Sequence, residues 1–144
     1  MQIVYDSSAA NGKATAEPST NVVTFEPPPS EREPFVRLRK ELLNSPAWQS
    51  LRPVPRALYV EVANRYNGWN NGKIAYSIRD AKTGLHVGQA TIYRAFNTLQ
   101  ERGFLIAHMT VCINGKIERK WELTDFGWGG DAASRDYLSW GTNQ

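Results

Sequence analysis

The stretch Gly88-Gln89-Ala90-Thr91-Ile92-Tyr93-Arg94-Ala95-Phe96-Asn97-Thr98-Leu99-Gln100-Glu101-Arg102-Gly103-Phe104-Leu105 decides how the rest of the chain is read. Ile92, Ala95, Phe96 and Leu99 recur at i, i+3, i+4 and i+7, which is the apolar stripe of one helix face. At about 100° per residue, Ala90, Arg94, Asn97 and Glu101 fall opposite that stripe, with Thr91 and Tyr93 on its flanks. The pattern predicts a helix over residues 88–102, stopped by Gly103 as a C-terminal glycine stops one.

On the C-terminal side, Phe104 to Ile113 is rich in β-forming residues. Lys116 to Leu123 alternates, with Ile117, Trp121 and Leu123 against Glu118, Lys120 and Glu122. Asn114-Gly115 between them suits a two-residue type I′ turn, so a β-hairpin is expected over 104–123. That turn pairs residue 108 with residue 121 and lays His108 over Trp121.

On the N-terminal side, Leu85-His86-Val87-Gly88 is a turn. Before it, Ser77 caps an expected helix from about Ile78 to Gly84 that faces Ile78, Ala81 and Leu85 inward. Lys73 to Tyr76 is too short to be more than an extended stub after the turn residues Asn70-Asn71-Gly72. Tyr59, Val62, Ala63 and Tyr66 mark another helix, with Pro55 in its first turn and Gly68 beyond its end. A first helix is expected with Ser30 as cap, Glu31 and Glu33 in its first turn, and Phe35, Leu38, Leu42 and Leu43 on its apolar face. Pro46 interrupts it, and Ala47, Trp48 and Leu51 form an apolar bridge. Arg37, Arg39 and Lys40 are expected to face solvent.

The chain has 144 residues, 41% hydrophobic and 22% charged, which is the balance of a globular protein with room for one core. Three regions follow. Residues 1–34 read as a flexible acidic arm rich in Pro and Ser, with net charge −3; residues 35–125 carry fourteen Lys and Arg against seven Asp and Glu, net +7; residues 126–144 have net charge −1. The basic middle is the electrostatic footprint of a phosphate-backbone binder. The aromatic tail, with Phe126, Trp128, Tyr137, Leu138 and Trp140, is expected to dock. A short helix capped by Asp131 and running through Trp140 would pack on its own domain in preference to forming a homodimer.

The order of short helix, four-residue turn, longer helix and hairpin, together with Thr91 to Leu105, resembles the winged helix-turn-helix DNA-binding family of bacteria and phages over residues 35–123. The fold expected is mainly α with a small β-hairpin wing. The resemblance implies a helix in the DNA major groove and a wing on backbone or minor groove, as in regulators and replication initiators. It departs from the family's pattern at Gly88, where a Ser or Thr cap is common.

The residues of the expected helix point to the same face on their own chemistry. Arg94 can grip guanine O6 and N7 with two hydrogen bonds, Gln89 and Asn97 can do the same at adenine, and Thr91 and Tyr93 flank them. The helix N-terminus at Gly88 favours a phosphate. Arg79 and Lys82 of the preceding helix, and Lys116, Arg119 and Lys120 of the wing, are the expected backbone contacts. Glu101 would repel phosphate, so contact should end near Asn97.

Enzyme chemistry finds little support. Cys112 has no histidine placed beside it by spacing, and His86 reads as a turn residue. Asp80, Glu61 and Glu41 are scattered over different helices, and no phosphate-cradling glycine loop is present. One cysteine and two histidines make neither a disulfide nor a zinc site, so no cofactor or metal is expected. No apolar run approaches the roughly 20 residues that cross a bilayer, and Met1 to Ala10 lacks the features of an export signal. The reading is therefore a cytoplasmic, nucleoid-associated duplex-DNA binder, in transcription control or replication. A winged helix that serves protein assembly is the alternative, and a small hydrolase using Cys112 is a distant third.

Overall fold

The computed structural model describes residues 33–142. Ser30, Glu31 and nearly all of the acidic arm lie outside them. The described chain is α+β. In order it forms α1 (Lys40–Leu43), α2 (Pro46–Gln49), α3 (Pro53–Ala63), β1 (Ile74–Ala75), α4 (Ile78–Leu85), α5 (Gln89–Glu101), β2 (Leu105–Val111), β3 (Ile117–Leu123) and a 3₁₀ turn, Asp136–Ser139. The strands form one antiparallel sheet in the order β1-β3-β2.

The first helix is much shorter than its sequence suggests. Residues 33–39 are not helical, and Arg39, at φ −71° and ψ 144°, starts α1 without a side-chain cap. Pro34 biases its predecessor away from helical backbone, and the chain after it behaves as an extended segment. Val36 and Leu38 reach the core at a period of two, while Phe35 is 81% exposed. Pro46 is a start as much as an interruption. It occupies the first turn of α2, where its missing N–H costs nothing, and Ser45 Oγ accepts the Trp48 N–H at 3.2 Å. The expected apolar bridge is thus a one-turn helix. In α3 the first turn opens on Pro53, two residues before Pro55.

Ser77 caps α4 as expected, and Asp80 completes a reciprocal capping box by accepting the Ser77 N–H. These bonds hold the Asp80 carboxyl below its usual range. Gly84 does not end this helix. One further residue brings Leu85 against the core, and His86 then takes the left-handed cap at φ 57°. The expected stub at Lys73 to Tyr76 is a real strand, because Ile74 and Ala75 pair with Trp121 and Lys120 of β3.

The hairpin forms with a different turn and a different register. Gly115 has φ +83°, but Asn114 is absent from the positive-φ residues, so the type I′ turn is not made. Cys112 donates its N–H to Lys116 O at 2.7 Å and accepts the Gly115 N–H at 2.9 Å, which leaves Ile113-Asn114-Gly115 as a three-residue loop with a glycine bulge. One residue of slip changes the face of every side chain. Trp121 therefore lies opposite Ala107, and His108 opposite Lys120, so His108 and Trp121 point to different sides of the sheet. The His108 ring is bonded instead to Glu122 Oε1 at 2.8 Å and lies edge-on to Trp128.

Two aromatic clusters hold the layers together. Trp121 stacks on Phe96 of α5 at 4.7 Å and 4°, and its Nε1–H donates to Tyr76 O at 3.0 Å. Trp48, Tyr59 and Phe104 meet edge to face at 5.5 to 5.8 Å, and Tyr137 of the tail stacks on Phe104 at 5.1 Å. Geometries of this kind add to simple area burial.

The tail thus docks on its own domain, by a means the sequence did not suggest. Asp131 caps nothing; it bridges to the backbone of Trp128, and the helical turn begins only after Arg135. Tyr137 is fully buried and donates its hydroxyl to Asp125 Oδ1 at 2.7 Å. Arg39 Nε and Arg135 Nε flank the same buried carboxylate at 3.3 and 3.6 Å, so Arg39 serves the interior and is not a free surface cation. Gly103 admits the tail, because a Cβ there would come within 2.7 Å of the backbone of Asp136 and Tyr137.

The same cluster sets an alkaline limit on stability. Burial, with the nearby Asp125 charge adding to it, pushes the Tyr59 phenol far above its usual value of 10.0. Burial, then the bond to Asp125, does the same at Tyr137. Both phenols stay protonated in the folded chain while the unfolded chain ionises above about pH 10. Stability is therefore full below that pH and falls as pH rises beyond it, by about 1.4 kcal/mol per pH unit for each phenol. The Tyr59 hydroxyl is buried without a hydrogen-bond partner among the described residues. Tyr59→Phe should hold or raise the denaturation midpoint at pH 7 and flatten its fall between about pH 10 and 11. An unchanged alkaline slope in urea titrations would contradict this account.

Candidate nucleic-acid interface

Helix α5 is amphipathic in the sense its sequence predicts. Ile92, Ala95, Phe96 and Leu99 are buried, while Gln89, Ala90, Tyr93, Arg94, Asn97 and Glu101 are exposed. Thr91 sits half-buried at the edge. Tyr93 leaves 53% of its surface free despite its size, and Gln89, Ala90, Tyr93 and Arg94 line an open concavity on this face. The nearest polar partner of the Arg94 guanidinium is Thr91 Oγ1 at 3.5 Å, longer than a good N–H···O bond. Among the described residues its fork of donors is therefore uncommitted. At the helix start, Gly88 is the N-cap and gives no side-chain hydrogen bond, so the first-turn amides stay open to an outside acceptor.

Helix α4 contributes Arg79 and Lys82, both exposed. The hairpin cations do not act as one group. Lys116 is exposed in the loop, its N–H held by Asn114 Oδ1 at 2.9 Å. The Arg119 guanidinium lies 5.7 Å from the Trp121 ring centroid. Lys120 belongs to the opposite sheet face, where its ammonium contacts Glu118 Oε1 at 2.8 Å. Among the described residues neither Lys116 nor Arg119 has a carboxylate partner, while Lys120 has Glu118. Beyond Asn97 the helix offers Glu101, and Arg102 turns back over the Trp140 ring at 4.8 Å.

Residues outside the expected set also shape this region. Met109, Val111 and Ile117 are 63%, 69% and 66% exposed, and Ile113 at the loop projects completely into solvent. The pairing in the sheet puts Met109, Val111 and Ile117 on the face that carries Trp121. Their apolar character is visible in the sequence, but strand alternation suggests burial for them, and only the length of the hairpin beyond the core leaves them uncovered. Asn71, read as a turn residue, is 2% exposed and ties the loop before β1 to Leu123 and Phe126 through both ends of its amide.

The Cys112 thiol is raised by its bond to Glu118, which disfavours the thiolate. Among the described residues no group of three or more His, Cys, Asp or Glu is placed to hold a metal ion, and no helix is long and apolar enough to cross a membrane. The chain matches no protein-family model, no curated protein and no solved structure.

Proposed function

We propose that the chain is a winged helix-turn-helix protein that binds duplex DNA without performing chemistry on it. Helix α5 enters the major groove, and the β2–β3 hairpin serves as the wing. The single observation that carries this reading is the exposed face of α5. Gln89, Tyr93, Arg94 and Asn97 stand exposed opposite the buried stripe, with the Arg94 fork uncommitted among the described residues. The order α3, β1, α4, α5 and hairpin, with β3 central in the sheet, supports the winged form. Arg79 and Lys82 flank this face on α4, and Lys116 and Arg119 on the wing, in the manner of backbone contacts. Such a binder suits control of transcription or initiation of replication in a bacterium or phage, at the nucleoid.

The test is fluorescence anisotropy with duplexes selected from a random pool. Arg94→Ala should weaken binding to the selected duplex by about 5- to 150-fold, the worth of one bidentate base contact, and should flatten preference at one position. Arg94 is exposed, so the variant should melt as the parent does. Equal affinity of parent and variant for every duplex would remove α5 from base readout.

A further inference from the structure

The end of the wing is built of residues that neither the fold nor backbone contact accounts for. The sheet face bearing Trp121 is covered by α5 only as far as the Ala107–Trp121 pair, after which Met109, Val111 and Ile117 continue it uncovered. The loop then presents Ile113, 109% exposed, beside Asn114 and Gly115. Ile113 contributes nothing to the core, and a fully solvated branched aliphatic side chain at a hairpin tip has an unfavourable free energy of hydration.

We propose that Ile113 is an apolar wedge that enters the minor groove of duplex DNA and partly unstacks a base step, bending the helix. This rests on the DNA-binding reading above. Charge complementarity favours nucleic acid as the occupant. Lys116 follows the wedge by three residues and is exposed, and Arg119 lies on the same sheet face as the apolar residues, so cations stand where phosphates border a groove. Reach agrees. Ile113 lies six positions along the chain from Ala107, opposite Trp121, a reach of at most roughly 20 Å for extended chain. Half a turn of B-DNA, the step from a major groove to the next minor groove, is about 17 Å. The tip is also narrow, with glycine at its turn, whereas a stable protein interface needs about 800 Å² from each partner. Apolar side chains inserted between base steps from the minor groove are a known route to kinked duplexes.

The experiment uses the full chain and a duplex of about 30 base pairs with end-placed donor and acceptor dyes and 2-aminopurine beside a central TA step, the most easily kinked kind. Binding of the parent should raise energy transfer between the ends and brighten the 2-aminopurine. Ile113→Ala should weaken binding roughly tenfold and abolish both signals, with an unchanged melting temperature. Ile113→Met, an apolar residue of similar volume, should keep both. If the duplex binds but stays straight, or if Ile113→Ala bends it equally, the wedge is overturned while the DNA-binding reading stands. If no duplex binds, both fail together. If light scattering shows a dimer that Ile113→Ala dissociates, the tip belongs to a second copy of the chain and the wedge is likewise overturned.

Discussion

Truncation of Trp121 to alanine should lower the stability of the domain by about 3–5 kcal/mol, a large part of the roughly 5–15 kcal/mol that holds a domain of this kind folded. The indole is 1% exposed, lies flat on Phe96 and donates to Tyr76 O. Its removal opens a cavity between the sheet and α5 and leaves the Tyr76 carbonyl without its donor, so the transfer, cavity and hydrogen-bond costs all have the same sign. Urea unfolding monitored by circular dichroism measures the loss. Trp69→Ala is the matched control. Trp69 is 91% exposed, and its truncation should move stability by no more than about 0.5 kcal/mol. If the two variants unfolded at the same urea concentration, the stacked pair would not be the joint between sheet and helix. The functional consequence follows from position. Phe96 backs the exposed face of Arg94 and Asn97, so loosening Trp121 should blunt duplex affinity even under conditions where most molecules remain folded.

The second large effect is expected from salt. Of the five cations proposed to meet the DNA backbone, Lys120 is held by Glu118, which leaves Arg79, Lys82, Lys116 and Arg119, none with a carboxylate partner among the described residues, to displace counterions. At a slope of about −0.9 per phosphate, four contacts give an affinity loss of roughly 150-fold between about 50 and 200 mM monovalent salt. Lys116→Ala should lower the slope by about one and weaken all duplexes alike, whereas Arg94→Ala should act chiefly on the selected sequence. Binding insensitive to salt would place the contact away from phosphates and would move the exposed face of α5 toward recognition of a protein. Lys120→Ala offers a sharper check on the assignment of faces, because it should leave the slope close to that of the parent.

The two expectations depend on parts of the chain that differ in how openly the sequence declares them. The exposed face of α5 could be read at once, since the apolar stripe Ile92, Ala95, Phe96 and Leu99 has a single helical solution and every polar residue then has its place. Ser77 as a cap was legible for the same reason, being a local bond between neighbours in the chain. The cations of the wing were legible only as a list. Which of them are free depends on the sheet face each occupies, and that face depends on a one-residue difference in the loop. Asn114-Gly115 permits two turns of similar cost, and the pairing of Trp121 with Ala107 under the stack on Phe96 favours the longer loop. The exposed apolar surface of the wing was hidden by the same alternation that revealed the strands.

Local backbone and periodic burial are written in neighbouring residues, and so the existence of the helices between Pro53 and Glu101, of a hairpin after them, and the outward set of α5 were legible in sequence alone, whereas the turn and register of the hairpin and the exact helix ends were not. Other features join residues far apart in the chain: Arg39 and Arg135 on Asp125, Tyr137 against Phe104, Asn71 bound to Leu123, and the bare end of the wing. Their partners become neighbours only after the layers have packed. A buried carboxylate is tolerated where cations and a hydroxyl happen to converge, and a hydrophobic side chain stays wet where the helix beneath it has ended, so the tertiary structure alone decided them.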